Sequence, residues 1–369
     1  MEQEEKAILQ SVSETNGKLY VSSGKVNADD FTSVTEALCS IPEDYDAPVT
    51  ILIAPGRYHE KITINRPFVT LEGTGENSAD TILTYDDYAN FKMEDGMKMG
   101  TFRSYSVFVD AHDVTLKNLT IENASGDSLT HGQAIALYAD GDRLIVDSCR
   151  LLGHQDTLFT GPLPPKEIEK NGFIGPKQNA PRLHGRQYYK NCYICGDIDF
   201  IFGGATAYFE ECVIESLRHF PEEKAEKSVL SDSDAASAKA DRETKAETQI
   251  QGYVTAASTP EDEQYGYVFS KCRLTSEECP DGTVYLGRPW RNFAKTVFIE
   301  CAFGKHIHPA LFHDWNKPDA RETILYGLYH ENLQESYPGR AEFVQELEKA
   351  QLEIYAKEKV LAGEDNWNP

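Results

Sequence analysis

The chain has 369 residues, with 60 Asp and Glu against 36 Lys and Arg; its net charge of −24 excludes the basic surface that nucleic acid demands. With 40% hydrophobic and 11% aromatic residues it can bury a core, which excludes wholesale disorder. No apolar run approaches the ~18 residues of a membrane span, so no membrane partner is expected. The first residues, Met1-Glu2-Gln3-Glu4-Glu5-Lys6, are acidic with no apolar segment behind them and do not read as a signal peptide. The expected location is the cytoplasm, or outside the cell for a chain that has lost a leader.

After Asp29-Asp30, the residues Phe31, Val34, Leu38 and Ile41 fall on one face of a helix that Pro42 stops, giving an N-terminal cap over about 28–45. From about 48 to 330 the apolar signal is short strands. Val107–Val109, Ala134–Tyr138, Ala207–Phe209 and Thr296–Ile299 are β-branched or aromatic runs broken by Gly, Asn or Asp. No strong helical period interrupts them. A charged, Ala-rich insertion over about 217–250 carries few large apolar residues and reads as an exposed segment between strands or as a lid. Phe343, Val344, Leu347, Leu352 and Tyr355 then give a second amphipathic stretch from about Arg340 to Leu361, read as a cap or as a helix laid along the strands, within a helical tail spanning about 338–369.

The cysteines repeat within a phrase. Ser148-Cys149-Arg150-Leu151, Asn191-Cys192-Tyr193-Ile194, Glu211-Cys212-Val213-Ile214, Lys271-Cys272-Arg273-Leu274 and Glu300-Cys301-Ala302-Phe303 share a polar residue, Cys and a strand-like pair. Asn118-Leu119-Thr120-Ile121 is an earlier relative. Self-similarity at ~20–50 residues signals stacked repeats, and free Cys behaves as a small buried hydrophobe. The pattern predicts one all-β domain over 1–369, a parallel β-helix with a thiol column in its core, whose end coils need caps.

Several motifs carry no chemistry. Cys192 and Cys195 form C-x-x-C inside a strand, where positions three apart face opposite sides, so no redox or metal role is expected. Gly73-Thr74-Gly75 lacks the rest of a dinucleotide fingerprint and reads as a turn. His306 and His308 alternate along a strand without a third ligand and read as surface histidines. Asn118-Leu119-Thr120 and Asn123-Ala124-Ser125 match glycosylation acceptors that are expected to stay unmodified, with a structural role at coil corners. Neither G-x-S-x-G nor H-E-x-x-H occurs, and no metal or cofactor is implied.

What remains is a set of polar phrases on predicted strands: His131-Gly132-Gln133-Ala134, Gly153-His154-Gln155-Asp156-Thr157-Leu158-Phe159, Gly196-Asp197-Ile198-Asp199-Phe200-Ile201-Phe202-Gly203 and Tyr285-Leu286-Gly287-Arg288-Pro289-Trp290. Coils stack ~4.8 Å apart, so groups distant in sequence can converge on one sheet. These phrases resemble the pectin methylesterase (pectinesterase) family, together with Gly56 to Glu60 (G-R-Y-x-E) and Gly252 to Thr259 (G-Y-V-T-A-A-S-T). The motifs span about residues 30 to 330.

The resemblance implies a right-handed parallel β-helix that hydrolyses methyl esters of galacturonate in pectin or methylated oligogalacturonates. By motif position it makes Asp199 the nucleophile, Asp156 the general acid/base, Gln133 and Gln155 the donors to the anionic intermediate, and Arg288 the cation holding Asp199. Thr101, Gln133, Phe159, Phe202, Arg288 and Trp290 become substrate contacts. The pattern departs at Ala310-Leu311-Phe312-His313, where a Gly-Trp pair is commoner. Two carboxyls ~5 Å apart at an effective dielectric of ~20 repel by about 3 kcal/mol, which separates their pKa values by roughly two units. Alternation puts Gln155 and Asp156 on opposite sides unless a turn or bulge intervenes, and it leaves Asp197 and Asp199 on the same side. Two aspartates on a β-helix also suit a glycoside hydrolase, and a non-catalytic carbohydrate-binding solenoid is the other alternative. The strong negative charge predicts weak retention of the de-esterified, polyanionic product.

Overall fold

The structure is a computed structural model and describes residues 17–24, 30–42, 45, 47–221, 249–330 and 333–369. Its strands form three sheets of eleven, eight and seven strands, in which successive coils add parallel neighbours. The winding is that of a right-handed parallel β-helix. A coil passes from the eleven-stranded sheet through a corner into the eight-stranded sheet, then into the seven-stranded sheet; Arg186–Lys190, Tyr193–Gly196 and Ile198–Gly203 are one such coil.

The corner explains the repeated phrase. Asn118, Ser148, Asn191, Glu211, Lys271 and Glu300 all have left-handed backbone, with φ between 49° and 56°. This conformation turns the chain sharply and delivers the next residue, Leu119 or a Cys, into the core. Cys149, Cys192, Cys212, Cys272 and Cys301 are buried free thiols. Cys192, Cys212, Cys272 and Cys301 donate to Val146, Tyr189, Phe209 and Phe269 carbonyls of the preceding coil at 3.2–3.5 Å. Beside them Tyr189, Phe209, Phe269 and Phe298 stack in series, with ring centroids 4.4–4.6 Å apart. Spacing between Cys positions varies because segments enter between strands, among the described residues the longest at 161–185.

At the N-terminal end the helix Val34–Cys39 buries Val34, Ala37 and Leu38 against the first coils. Ser33 caps it, and the Glu60 carboxylate accepts from Val34 N and Thr35 N. The Glu of the G-R-Y-x-E motif thus serves as a cap. Most of the predicted insertion, residues 222–248, lies outside the described residues, as does the acidic start of the chain.

The tail is only partly helical. Instead of one helix over 340–361, Val344–Glu346 joins the eleven-stranded sheet beside Leu325–Tyr329, followed by a 3₁₀ turn at Lys349–Tyr355 and a helix of one turn at Lys357–Val360. Unpaired backbone at the last coil offers hydrogen bonds that override helix propensity. Leu347, Tyr355, Val360 and Leu361 bury against Tyr188, Tyr208 and Val268 on the outer face. His306 is another correction: it is buried, which pushes its pKa down to about 4, while His308 stacks on Tyr285. Asn118 and Asn123 donate through Nδ2 to backbone carbonyls, Asn118 to Gly73 and Gly75, Asn123 to Asp87 and Ser104.

Candidate active site

The seven-stranded sheet brings the polar phrases together. Its order places the strands Val284–Gly287, Gly252–Ala257, Ile198–Gly203, Leu158–Thr160 and Leu137–Ala139 side by side. Arg288, Tyr253, Asp199, Asp156 and Gln133 therefore lie in that order across the coils. A cleft of about 480 Å³ opens over them, lined by Gln133, Gln155, Asp156, Asp199, Arg288 and Trp290 among others.

Both carboxyls escape strand alternation through left-handed backbone. Asp156 has φ 66° in a turn, so Gln155 and Asp156 both reach the cleft. Asp199 has φ 51°, within a register shift between Ile198 and Ile201 against the neighbouring strand. This bulge sends Asp199 outward and Phe200 fully inward. The bulge also accounts for the motif's first glycine: a Cβ on Gly196 would stand 2.3 Å from the Phe200 Cβ and 2.5 Å from the His154 carbonyl.

Arg288 grips Asp199 through two bonds, Nε donating to Oδ1 at 2.8 Å and Nη2 to Oδ2 at 2.7 Å. Its guanidinium is sandwiched between Tyr253 and Trp315, 3.9 and 3.8 Å from their ring centroids. Planar stacking and a forked donor are properties of Arg that Lys lacks. Burial raises the Asp199 carboxyl above its usual range, and Arg288, then Lys317, limit the rise. Asp156 has no such grip. Burial, reinforced by the Asp199 charge, pushes it well above the usual carboxylate range. Of the pair, Asp156 holds its proton to higher pH.

Asp197 does not share the cleft with Asp199. It is buried elsewhere, bonded to Ser128 and His219, which removes the ambiguity that alternation left. Phe159 is a second correction: it is fully buried against Phe102 and Phe202, ring centroids 5.1 and 5.0 Å away, and does not line the cleft. Phe202 does line it, as do Thr101 from a 3₁₀ turn and Trp290, whose ring lies 5.6 Å from Phe202 and 6.2 Å from Phe173.

Sequence reasoning passed over Phe102, Phe173, Tyr253, Arg291, Trp315 and Lys317. Tyr253 stood in a quoted motif, and Trp315 is among only three tryptophans, but nothing local revealed that both clamp Arg288. Lys317 donates to the carbonyls of Pro289 and Trp290 at 2.8 and 3.2 Å, and burial pulls its pKa down to about 8. The lining thus holds Arg288, Arg291 and Lys317 against Asp156, Asp199 and Glu169, a local balance quite unlike the chain's net charge. Among the described residues no group of three or more His, Cys, Asp or Glu is arranged to hold a metal ion.

Fold and cleft define a β-helical protein with a carboxyl pair, one member of which an arginine clamps. The Pectinesterase family model matches residues 21–162 and 182–341, so the chain belongs to the pectinesterase family and is a carboxylic ester hydrolase. The interruption at 163–181 falls on the segment that gives the cleft Ile168, Glu169 and Phe173. Pectinesterase 31 of Arabidopsis thaliana is 29% identical over 306 residues, covering 80% of this chain and 78% of that protein. Pectin methylesterase PemA from Erwinia chrysanthemi superimposes with a TM-score of 0.69 at 25% identity, over 95% of this chain and 98% of the other. A pectin methylesterase in complex with a hexasaccharide gives a TM-score of 0.68 at 25% identity, with the same coverage.

Proposed function

We propose that this chain is a pectin methylesterase that removes methyl groups from methyl-esterified galacturonate, in pectin or in oligogalacturonates, and releases methanol. The observation that carries the reading is the asymmetric pair: Asp199 in the fork of Arg288 beside an unclamped, more strongly protonated Asp156. An ionised Asp199 oxygen attacks the ester carbonyl carbon. The resulting oxyanion draws on the side-chain amides of Gln133 and Gln155, with ~3 kcal/mol at stake per donor. As the carbon–methoxy bond breaks, Asp156 gives its proton to the leaving oxygen and methanol departs. Asp156, now a carboxylate, takes a proton from water, whose oxygen attacks the acyl carbon and returns Asp199 as a free carboxylate. Thr101, Phe202 and Trp290 offer a surface for the sugar rings.

The test is methanol release from highly methylated pectin and from short methylated oligogalacturonates, with Asp199→Ala as control. Methanol from the native protein alone supports the assignment, and the two substrates report which chain length is preferred. New reducing ends without methanol would replace this reading by glycoside hydrolysis.

A further inference from the structure

We infer that Asp197 is a positioning residue for the esterase reaction: its buried carboxylate holds in register the segments that carry Gln133, the Gln155–Asp156 pair and Asp199. The inference rests on the proposed function, in which those side chains do the chemistry.

Asp197 is 1% exposed and lies one residue before the bulge that aims Asp199. Its Oδ1 accepts from Ile198 N at 2.6 Å, at the bend that opens the strand Ile198–Gly203. Its Oδ2 accepts from the Ser128 hydroxyl and lies 3.1 Å from His219 Nδ1 and 3.7 Å from His154 Nδ1. Ser128 begins the single-turn helix Ser128–His131, whose capping Gly132 leads directly into Gln133. His154 immediately precedes Gln155 and Asp156. The main chain joins in: Asp197 N donates to the His154 carbonyl at 3.2 Å, and Tyr253 N donates to the Asp197 carbonyl at 3.1 Å. One carboxylate therefore touches every segment that contributes a reacting group on this side of Arg288.

The cluster contains Ser, His and Asp, but it is not a serine nucleophile. Ser128 is 6% exposed, outside the cleft lining, and donates to the carboxylate itself. A carboxylate suits the place because its neighbours are hydroxyl, imidazole and amide N–H groups that can all donate. Burial acts to raise the Asp197 pKa, but the imidazoles of His154 and His219, the Ser128 hydroxyl and the Ile198 N–H outweigh it and hold the group well below the usual range. An Asn would keep one acceptor and turn an NH₂ group toward donors, loosening all three segments at once. Reacting groups displaced by about 1 Å can lose ~10²-fold in rate.

The experiment compares Asp197→Asn with the native protein by steady-state kinetics on methylated pectin and by amide hydrogen exchange. Positioning predicts a fall in kcat of about 10- to 100-fold with KM within about twofold, since Thr101, Phe202 and Trp290 are untouched. It also predicts faster exchange across 128–133, 154–157 and 197–200 together, with the Cys-column strands unchanged. Ser128→Ala should give a smaller fall in kcat, and the double variant should be no worse than Asp197→Asn alone. A folded Asp197→Asn with kcat within twofold of native, or with exchange unchanged in the three segments, overturns the inference. Should that variant fail to fold, Ser128→Ala and His219→Gln each remove one arm; unchanged kcat and exchange in both would overturn it equally. A native protein that releases no methanol sinks the proposed function instead, and the exchange comparison still decides the clamp.

Discussion

Among the places where this molecule adopts left-handed backbone, the coil corners and the cleft put it to opposite use. At the corners between the first two sheets it recurs in Asn118, Ser148, Asn191, Glu211, Lys271 and Glu300, all exposed or half-exposed. Amide, hydroxyl, acid and amine all occur there, because the shared demand is the turn, although Asn118 also donates to the Gly73 and Gly75 carbonyls. In the cleft the same conformation occurs at Asp156 and Asp199, both nearly buried, and there the side chain is the purpose. Backbone strain of ~1–2 kcal/mol per residue is thus spent once on winding the solenoid and once on freeing two carboxyls from strand alternation.

The comparison breaks if a cleft aspartate can be exchanged as freely as a corner residue. Asp199→Asn keeps a residue type that tolerates positive φ and still offers Arg288 an acceptor, so the fold should persist. Methanol release should fall at least about a thousandfold, with thermal stability little changed. Gln155→Ala and Gln133→Ala should each lower kcat by about 10²–10³ with a small change in KM, because oxyanion donors act mainly in the transition state. If either raised KM and left kcat intact, it would be a sugar contact.

The pH profile sharpens the contrast between the two carboxyls. Asp199 must be ionised and Asp156 protonated, so kcat/KM should be bell-shaped, its acid limb set mainly by Asp199 and its alkaline limb by Asp156. Arg288 and Lys317 both lower the Asp199 pKa, Arg288 more. Removing a neighbouring cation raises a carboxyl pKa, so Lys317→Met should move the acid limb to higher pH and narrow the bell, whereas Arg288→Gln should move that limb further and, because Arg288 also lowers Asp156, carry the alkaline limb up with it. Native Lys317, with a pKa of about 8, loses its own charge on the alkaline side, and any contribution there should vanish in Lys317→Met. An acid limb that stays put in both variants would mean that another group sets it.

How much of this was legible follows the same division. The Cys phrase disclosed the corners because each coil repeats one local demand, a polar turn residue before a small buried one. The motif residues Gln133, Gln155, Asp156, Asp199 and Arg288 do converge in the cleft. Period-two reasoning could not separate Asp197 from Asp199, since the bulge between Ile198 and Ile201 breaks the alternation it relies on. Phe159 failed for a related reason: membership of a motif says nothing about burial, and its ring, beside Phe202 on the neighbouring strand, is enclosed by Phe102, Tyr138 and Phe202. Lys317, Trp315 and Tyr253 act through contacts across coils and carry no local pattern. The tail is less helical than its spacing suggested because amphipathic spacing answers an open sheet edge as readily as it does a helix.

The smallest expected effect tests the corner side of the comparison. Lys271 has φ 53° and an exposed side chain, so Lys271→Gly removes a left-handed penalty of ~1–2 kcal/mol and adds an unfolded-state entropy cost of ~0.5–1 kcal/mol. The difference leaves a net stabilisation of about 0.5 kcal/mol, read as a higher denaturant midpoint at unchanged slope. Lys271→Val, β-branched at the same φ, should move the midpoint the other way by more. Methanol release should be unaffected in both, because Cys272 still enters the core and the corner lies on the opposite side of the coil from the cleft's sheet. If Lys271→Val proved neutral, corner conformation would be set wholly by the stacked coils, and positive φ at Asp156 and Asp199 would need no strain to explain it.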